Sequence, residues 1–104
     1  MAQFDVYRNP NPETAALIPY LLDVQADLLG HLVTRVVVPL VLASELGKPA
    51  KYLNPCFDIE GVAVVMSTPE VAGILVRAVG TRVQSLANRR QDIIAALDML
   101  FIGV

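Results

Sequence analysis

Apolar and polar residues alternate from Gln3 to Tyr7, with Phe4 and Val6 on one face and Gln3, Asp5 and Tyr7 on the other. A period of two is that of a half-buried strand. Arg8-Asn9-Pro10-Asn11-Pro12-Glu13 cannot extend it, because each proline removes a backbone donor and fixes φ, so a surface loop is expected there. Leu17 to Gln25 predicts a second strand, with Pro19 making its start an edge or a bulge. Asp27 to His31 reads as a turn containing Gly30. Val33 to Leu40 is rich in β-branched residues and predicts a third strand, buried on both faces. Ser44 to Pro49 reads as a helical turn or loop.

Leu53 to Ile59 and Val62 to Met66 predict strands four and five. Glu60-Gly61 between them fits a tight hairpin, because glycine supplies the positive φ such turns need. Ser67-Thr68-Pro69-Glu70 predicts a turn with proline at its first helical position, and Gly73 to Val79 a sixth short strand. From Gly80 the period lengthens. Thr81 with Gln84 three residues on matches a capping box, which predicts a helix starting near Arg82 and running to the C-terminus.

Along that helix Val83, Leu86, Ala87, Ile94, Leu97 and Phe101 follow helical spacing, and Gly103 marks a helix end. Ile93 and Leu100 widen the apolar surface toward the C-terminus. A helix packed on one sheet needs one apolar stripe. The second stripe predicts a second contact surface, most simply another copy of the chain. Six short strands followed by one helix indicate a mainly β fold, a small antiparallel barrel or sheet capped by the terminal helix. No repeat, linker or low-complexity stretch interrupts residues 1–104, so a single domain is expected.

Composition narrows the function classes. With 55% hydrophobic and 17% charged residues in 104, the chain is outside the disordered range. So much apolar content in a small chain again points to a subunit contact. A formal charge of −2 disfavours tight, direct DNA binding by this chain alone. One cysteine forms no internal disulfide and no signal-peptide pattern is read at the start, so a cytoplasmic location is expected. The apolar run Val36 to Ser44, broken by Pro39, is far short of the roughly 20 residues a membrane helix needs.

Candidate chemistry is sparse. His31 is the only histidine and has no serine or cysteine at triad spacing, so a solvated loop histidine is expected. Cys56 follows Pro55 in a strand-like stretch and reads as a buried structural thiol. One His and one Cys build no zinc site, Gly73 and Gly80 build no phosphate loop, and no cofactor is expected. Asp23, Asp27, Asp58 and Glu60 are scattered over turns and strand ends, which favours solvated carboxylates over an acid–base pair. Arg89-Arg90 reads as solvated charge with a local partner such as Asp92. The tail Phe101-Ile102-Gly103-Val104 is either docked on the chain's own core or held out for a partner.

Four stretches taken together are specific. They are Gln3 to Tyr7, Leu22 to Leu29, Arg35 to Leu40 and Asp92 to Val104. In this order and spacing they resemble the CcdB family, the toxins of a bacterial toxin–antitoxin pair. The resemblance implies a homodimer of SH3-like barrels with a C-terminal helix, the fold shared with the toxins MazF and Kid. It implies a protein that is not an enzyme but traps the A subunit of DNA gyrase on cleaved DNA. The implied gyrase contact is Ile102, Gly103 and Val104, with Asp98, Phe101, Ala26 and Leu28 close by. The implied antitoxin resembles CcdA, wraps a disordered segment over the dimer, and makes the operator DNA contacts while the toxin co-represses. The chain departs from the family at Ile102, where the family carries tryptophan. That departure predicts weaker poisoning, and it keeps open a non-toxic homologue that only binds antitoxin and co-represses. An RNA-cleaving enzyme on the same barrel is disfavoured, because it needs a basic groove and a clustered Arg/His set that the sequence lacks.

Overall fold

A computed structural model describes residues 1–104. Seven antiparallel strands curl into an SH3-like half-barrel that one C-terminal helix closes. The elements are β1 (Asp5–Arg8), β2 (Tyr20–Asp23), β3 (Thr34–Leu42), α1 (Ala43–Leu46), β4 (Cys56–Ile59), β5 (Val62–Met66), β6 (Ala72–Leu75), β7 (Arg82–Ser85) and α2 (Arg90–Ile102). Strand order is β4-β5-β3-β2-β1-β7, with β6 also paired to β3.

The nine-residue β3 is the spine. One edge takes β2, with Leu22 opposite Val38. The other edge takes β5 at Leu40 to Leu42 and β6 at Thr34 to Val37. The chain from Val62 to Leu75 therefore runs once along one edge of β3 in two segments, interrupted by the 3-10 turn Thr68–Glu70. Pro69 sits at the start of that turn, as its fixed φ favours. Glu60 and Gly61 both have positive φ, which makes the β4–β5 connection the expected tight hairpin. α1 occupies the expected helical turn.

The core joins Val6, Leu22, Val38, Leu40, Ile59, Val64 and Met66 of the sheet to Ile93 and Ala96 of α2. Each of these side chains except the small Ala96 contributes about 1.5–3 kcal/mol on full burial.

Several local expectations are corrected. The stretch Arg82 to Ser85 is a strand, and α2 starts only at Arg90, after the 3-10 turn Ala87–Arg89. Thr81 and Gln84 thus form no capping box. The reason is tertiary: β1 has a free edge, and β7 fills it with Val6 opposite Gln84 and Tyr7 opposite Arg82. Gly80 permits this approach, since a Cβ there would meet the Arg8 carbonyl oxygen at 2.8 Å. The sixth strand stops at Leu75, and Val76–Ala78 forms a 3-10 turn. The Val76 N–H bonds the Val33 carbonyl just before β3 begins, so no further strand edge is available to it.

β1 is buried on both faces rather than one: Asp5 and Tyr7 lie inside with Val6. The Asp5 carboxylate there accepts from the Tyr7 hydroxyl and pairs with Arg82 Nε at 3.0 Å. β3 is covered on both faces only in its C-terminal half, while Thr34 and Val36 are exposed. Cys56 is exposed, not a buried thiol, because β4 turns Phe57 and Ile59 inward and their neighbours outward. Cys56 is therefore expected to label with a maleimide in the native protein at the rate of a free thiol; labelling only after unfolding, read by mass spectrometry, would contradict this placement.

The hairpin tip is clipped to the far strands. Glu60 accepts from the Tyr20 hydroxyl at 2.7 Å and from Arg8 Nη2 at 2.8 Å. The Tyr20 hydrogen bond, with that of Arg8, holds the Glu60 carboxyl below its ordinary value of 4.5. A carboxyl with a depressed folded pKa stabilises the fold above its unfolded pKa, and that contribution is lost as pH falls through the folded value. Thermal melts across the carboxylate range are expected to show a smaller acid-side loss for Glu60→Gln than for the wild type. Identical acid slopes for the two proteins would remove Glu60 from the account.

Candidate functional site at the helix end

α2 is anchored at one end and free at the other. Ile93 and Ala96 are fully buried, and Ile94 and Leu97 pack partly against the core. Beyond Leu100 the helix has nothing beneath it. Phe101, Ile102 and Val104 are 69%, 68% and 81% exposed. Of the two readings of the tail, packing on the chain's own core is thus excluded by geometry.

The exposed end is nonetheless ordered by its cap. Gly103 adopts φ 77°, and its N–H reaches the carbonyls of Asp98 and Met99, each at 3.1 Å. This left-handed cap gives the Met99 carbonyl, one of the last four of the helix, a partner, and an L side chain at that φ is strained. Asp98, Phe101, Ile102, Gly103 and Val104 therefore share the last turns of α2 and its cap.

Ala26 and Leu28 sit elsewhere in the chain, at the 3-10 turn Asp27–Leu29. Leu28 is 89% exposed. Five of the seven expected residues thus lie on the last turns of α2 and its cap, and the other two on this turn, with no hydrogen bond between the two segments. Asp27 accepts the Gln3 backbone N–H at 2.7 Å, which fastens the loop to the N-terminus.

Beneath the loop lies a buried polar cluster that sequence reasoning missed. Asp23, expected in solvent, is fully buried, because Arg35 of β3 meets it there. Arg35 donates through both Nε (3.0 Å) and Nη2 to Asp23 Oδ2. The Gln25 N–H donates to Asp23 Oδ1 at 2.9 Å. Burial raises the Asp23 carboxyl above its ordinary value, and the Arg35 and Gln25 hydrogen bonds offset only part of that rise. No buried side-chain polar atom in the protein lacks a partner.

The loop's apolar side chains face outward. Leu29 and Leu32 are half-exposed and Val33 is 75% exposed. Gly30, Leu32, Val33, Leu75, Val76 and Arg77 line an open groove of about 640 Å³. The sequence carried one signal for this: the apolar pairs Leu28-Leu29 and Leu32-Val33 stand in a turn, where burial is least available.

The remaining candidates fall as follows. His31 is exposed in the same loop. Arg89 pairs with Asp92 at 2.7 Å, as its spacing suggests. Arg89 and Arg90 also stack over the Phe57 and Phe4 rings, which the pattern of charges did not reveal. No group of three His, Cys, Asp or Glu side chains is arranged to hold a metal.

The sequence model of the CcdB protein family matches residues 3–103, nearly the whole chain. The chain belongs to the CcdB family. It is accordingly the toxin of a toxin–antitoxin system, and its partners include an antitoxin. The match spans the curled sheet, the loop bearing Leu28 and α2 up to Gly103. No helix of this CcdB-family chain is long and apolar enough to cross a membrane.

Proposed function

We propose that this CcdB-family toxin acts as a homodimer, binds the A subunit of DNA gyrase and traps gyrase on cleaved DNA. One observation carries the reading: the capped, outward-held end of α2, with Phe101, Ile102 and Val104 in solvent. Apolar side chains held rigidly in water are the anchors of a docking surface, since little ordering entropy remains to be lost on binding. Ile102, Gly103 and Val104 form its centre, Asp98 and Phe101 flank them, and Ala26 and Leu28 add a second patch. Two copies would present the tail twice.

Action is by binding rather than catalysis, which the isolated, exposed His31 supports, and no cofactor takes part. The target places its action in the cytoplasm. A CcdA-like antitoxin neutralises the toxin by laying a disordered segment over the dimer. The complex then binds operator DNA through the antitoxin, in keeping with the toxin's net charge of −2.

Incubation with gyrase and supercoiled plasmid is the test. Accumulation of trapped, cleaved DNA supports the reading, and its absence at saturating toxin refutes it. Ile102 favours one second reading, a homologue that binds antitoxin and co-represses without poisoning gyrase, because isoleucine offers no aromatic face. That reading expects operator binding with the antitoxin and no trapped cleavage.

A further inference from the structure

The loop from Ala26 to Val33 is built inside out. Its 3-10 turn has no buried residue, and Leu28, Leu32 and Val33 point to solvent. An ordinary surface loop is held by apolar anchors beneath and shows polar groups to water. Here the anchor is polar and the face is apolar.

One side chain closes the loop. Gln25, itself 6% exposed, donates its amide N–H groups to the carbonyls of Leu29 (3.0 Å) and Thr34 (3.3 Å). Its amide oxygen accepts the Val36 N–H at 3.0 Å. The amide thus joins the end of the 3-10 turn to the start of β3 and takes the place of a strand. The Gln25 backbone is fixed in turn: its N–H donates to Asp23, and its carbonyl accepts from Arg35 Nη2 at 3.3 Å. Arg35 is 1% exposed and Asp23 fully buried, so neither can exchange these partners for water.

We propose that Gln25, Asp23 and Arg35 are positioning residues: their buried network sets the conformation of the loop and so presents Leu28 and its apolar neighbours as a pre-formed docking face. What the face docks to rests on the gyrase reading above; that the network holds the face does not. The network fixes a surface that would otherwise collapse inward, since buried leucines are favoured over exposed ones.

The experiment compares wild type with Gln25→Leu, which keeps apolar bulk and removes all three amide bonds. Hydrogen exchange is read amide by amide, and binding to the purified gyrase A subunit is read by titration. Exchange is expected to accelerate at Leu29, Gly30, Leu32 and Val36, with the β4–β5 amides unchanged. Gyrase affinity is expected to fall about tenfold, the loss that follows if the docking conformation is populated in about a tenth of the molecules.

Wild-type exchange in the loop of Gln25→Leu would overturn the proposal, as would wild-type affinity despite faster exchange. Uniform acceleration over the whole sheet would also count against it, since it marks a merely structural residue. A wild-type chain that does not bind gyrase A at all refutes the gyrase reading, and loop exchange alone then decides whether the network holds the face. If Gln25→Leu does not fold, the paired Asp23→Leu, Arg35→Met variant carries the same comparison. That pair removes the charges together and leaves none buried alone.

Discussion

Arg35→Ala is expected to lower the unfolding free energy by about 3–5 kcal/mol, because it strands the Asp23 carboxylate in the interior without its partner. Asp23 is fully buried and its Oδ2 receives both guanidinium bonds, so water cannot replace them. For a domain of this size total stability is about 5–15 kcal/mol, so the loss is a large share of it. At about 4–8 °C per kcal/mol the melting temperature should fall by about 12–40 °C. Denaturant titration measures it directly. The double variant Asp23→Leu, Arg35→Met separates the cost of an orphaned charge from the worth of the pair. Its stability should lie near that of the wild type, since buried pairs often do no better than apolar replacements of similar volume. A loss for Arg35→Ala of well under about 1 kcal/mol, the scale of an exposed pair, would show that the ion pair is not sealed from solvent.

Ile102→Trp is expected to strengthen gyrase poisoning. An aromatic ring at that site can stack on a cation of the target, worth about 0.5–2 kcal/mol per ring. The proposed dimer would present two rings, so affinity should rise at least about fivefold. The fold should not notice the change, because Ile102 is 68% exposed at the end of α2 and supports nothing beneath it. Killing on induction in cells with sensitive gyrase, compared between wild type and variant, gives the readout. Equal killing by both would show that the aromatic face is dispensable here. Strong killing by the wild type that disappears in gyrase-resistant cells would show that Ile102 suffices, and would remove the co-repressor-only reading.

These two effects mark where local pattern ends and tertiary context begins. Glu60-Gly61, Pro69 and Gly103 were legible in the sequence because each acts through its own backbone: two positive φ values, a fixed φ and a left-handed cap. Cys56 was misread as a buried thiol, although the alternation of β4 holds the signal for its exposure, since Phe57 and Ile59 take the inner face. Arg82 to Ser85 was not legible. Thr81 and Gln84 satisfy a local helical rule, but the free edge of β1 is a stronger demand, and Arg8 and Thr81 are far apart in sequence. Asp23 was misplaced for the same reason. Nothing near it in the chain announces Arg35, which reaches it only after β3 folds back beside β2.

The candidate site divides in the same way. The tail was readable as apolar, and its exposure followed once α2 proved short and anchored on the core through Ile93, Ile94, Ala96 and Leu97. Leu28 could be placed by resemblance, but the Gln25 network that holds it could not. Its bonds join the Leu29 carbonyl, the Thr34 carbonyl and the Val36 N–H, three backbone groups that only the folded loop brings to one side chain.

The most direct measurement is a titration of purified gyrase A subunit with the full chain and with a chain lacking Ile102, Gly103 and Val104. Saturable binding by the full chain, lost in the shortened one while its melting temperature is unchanged, is the predicted result. Equal binding by both chains, or none by the full chain, would contradict the claim that the end of α2 is the docking surface.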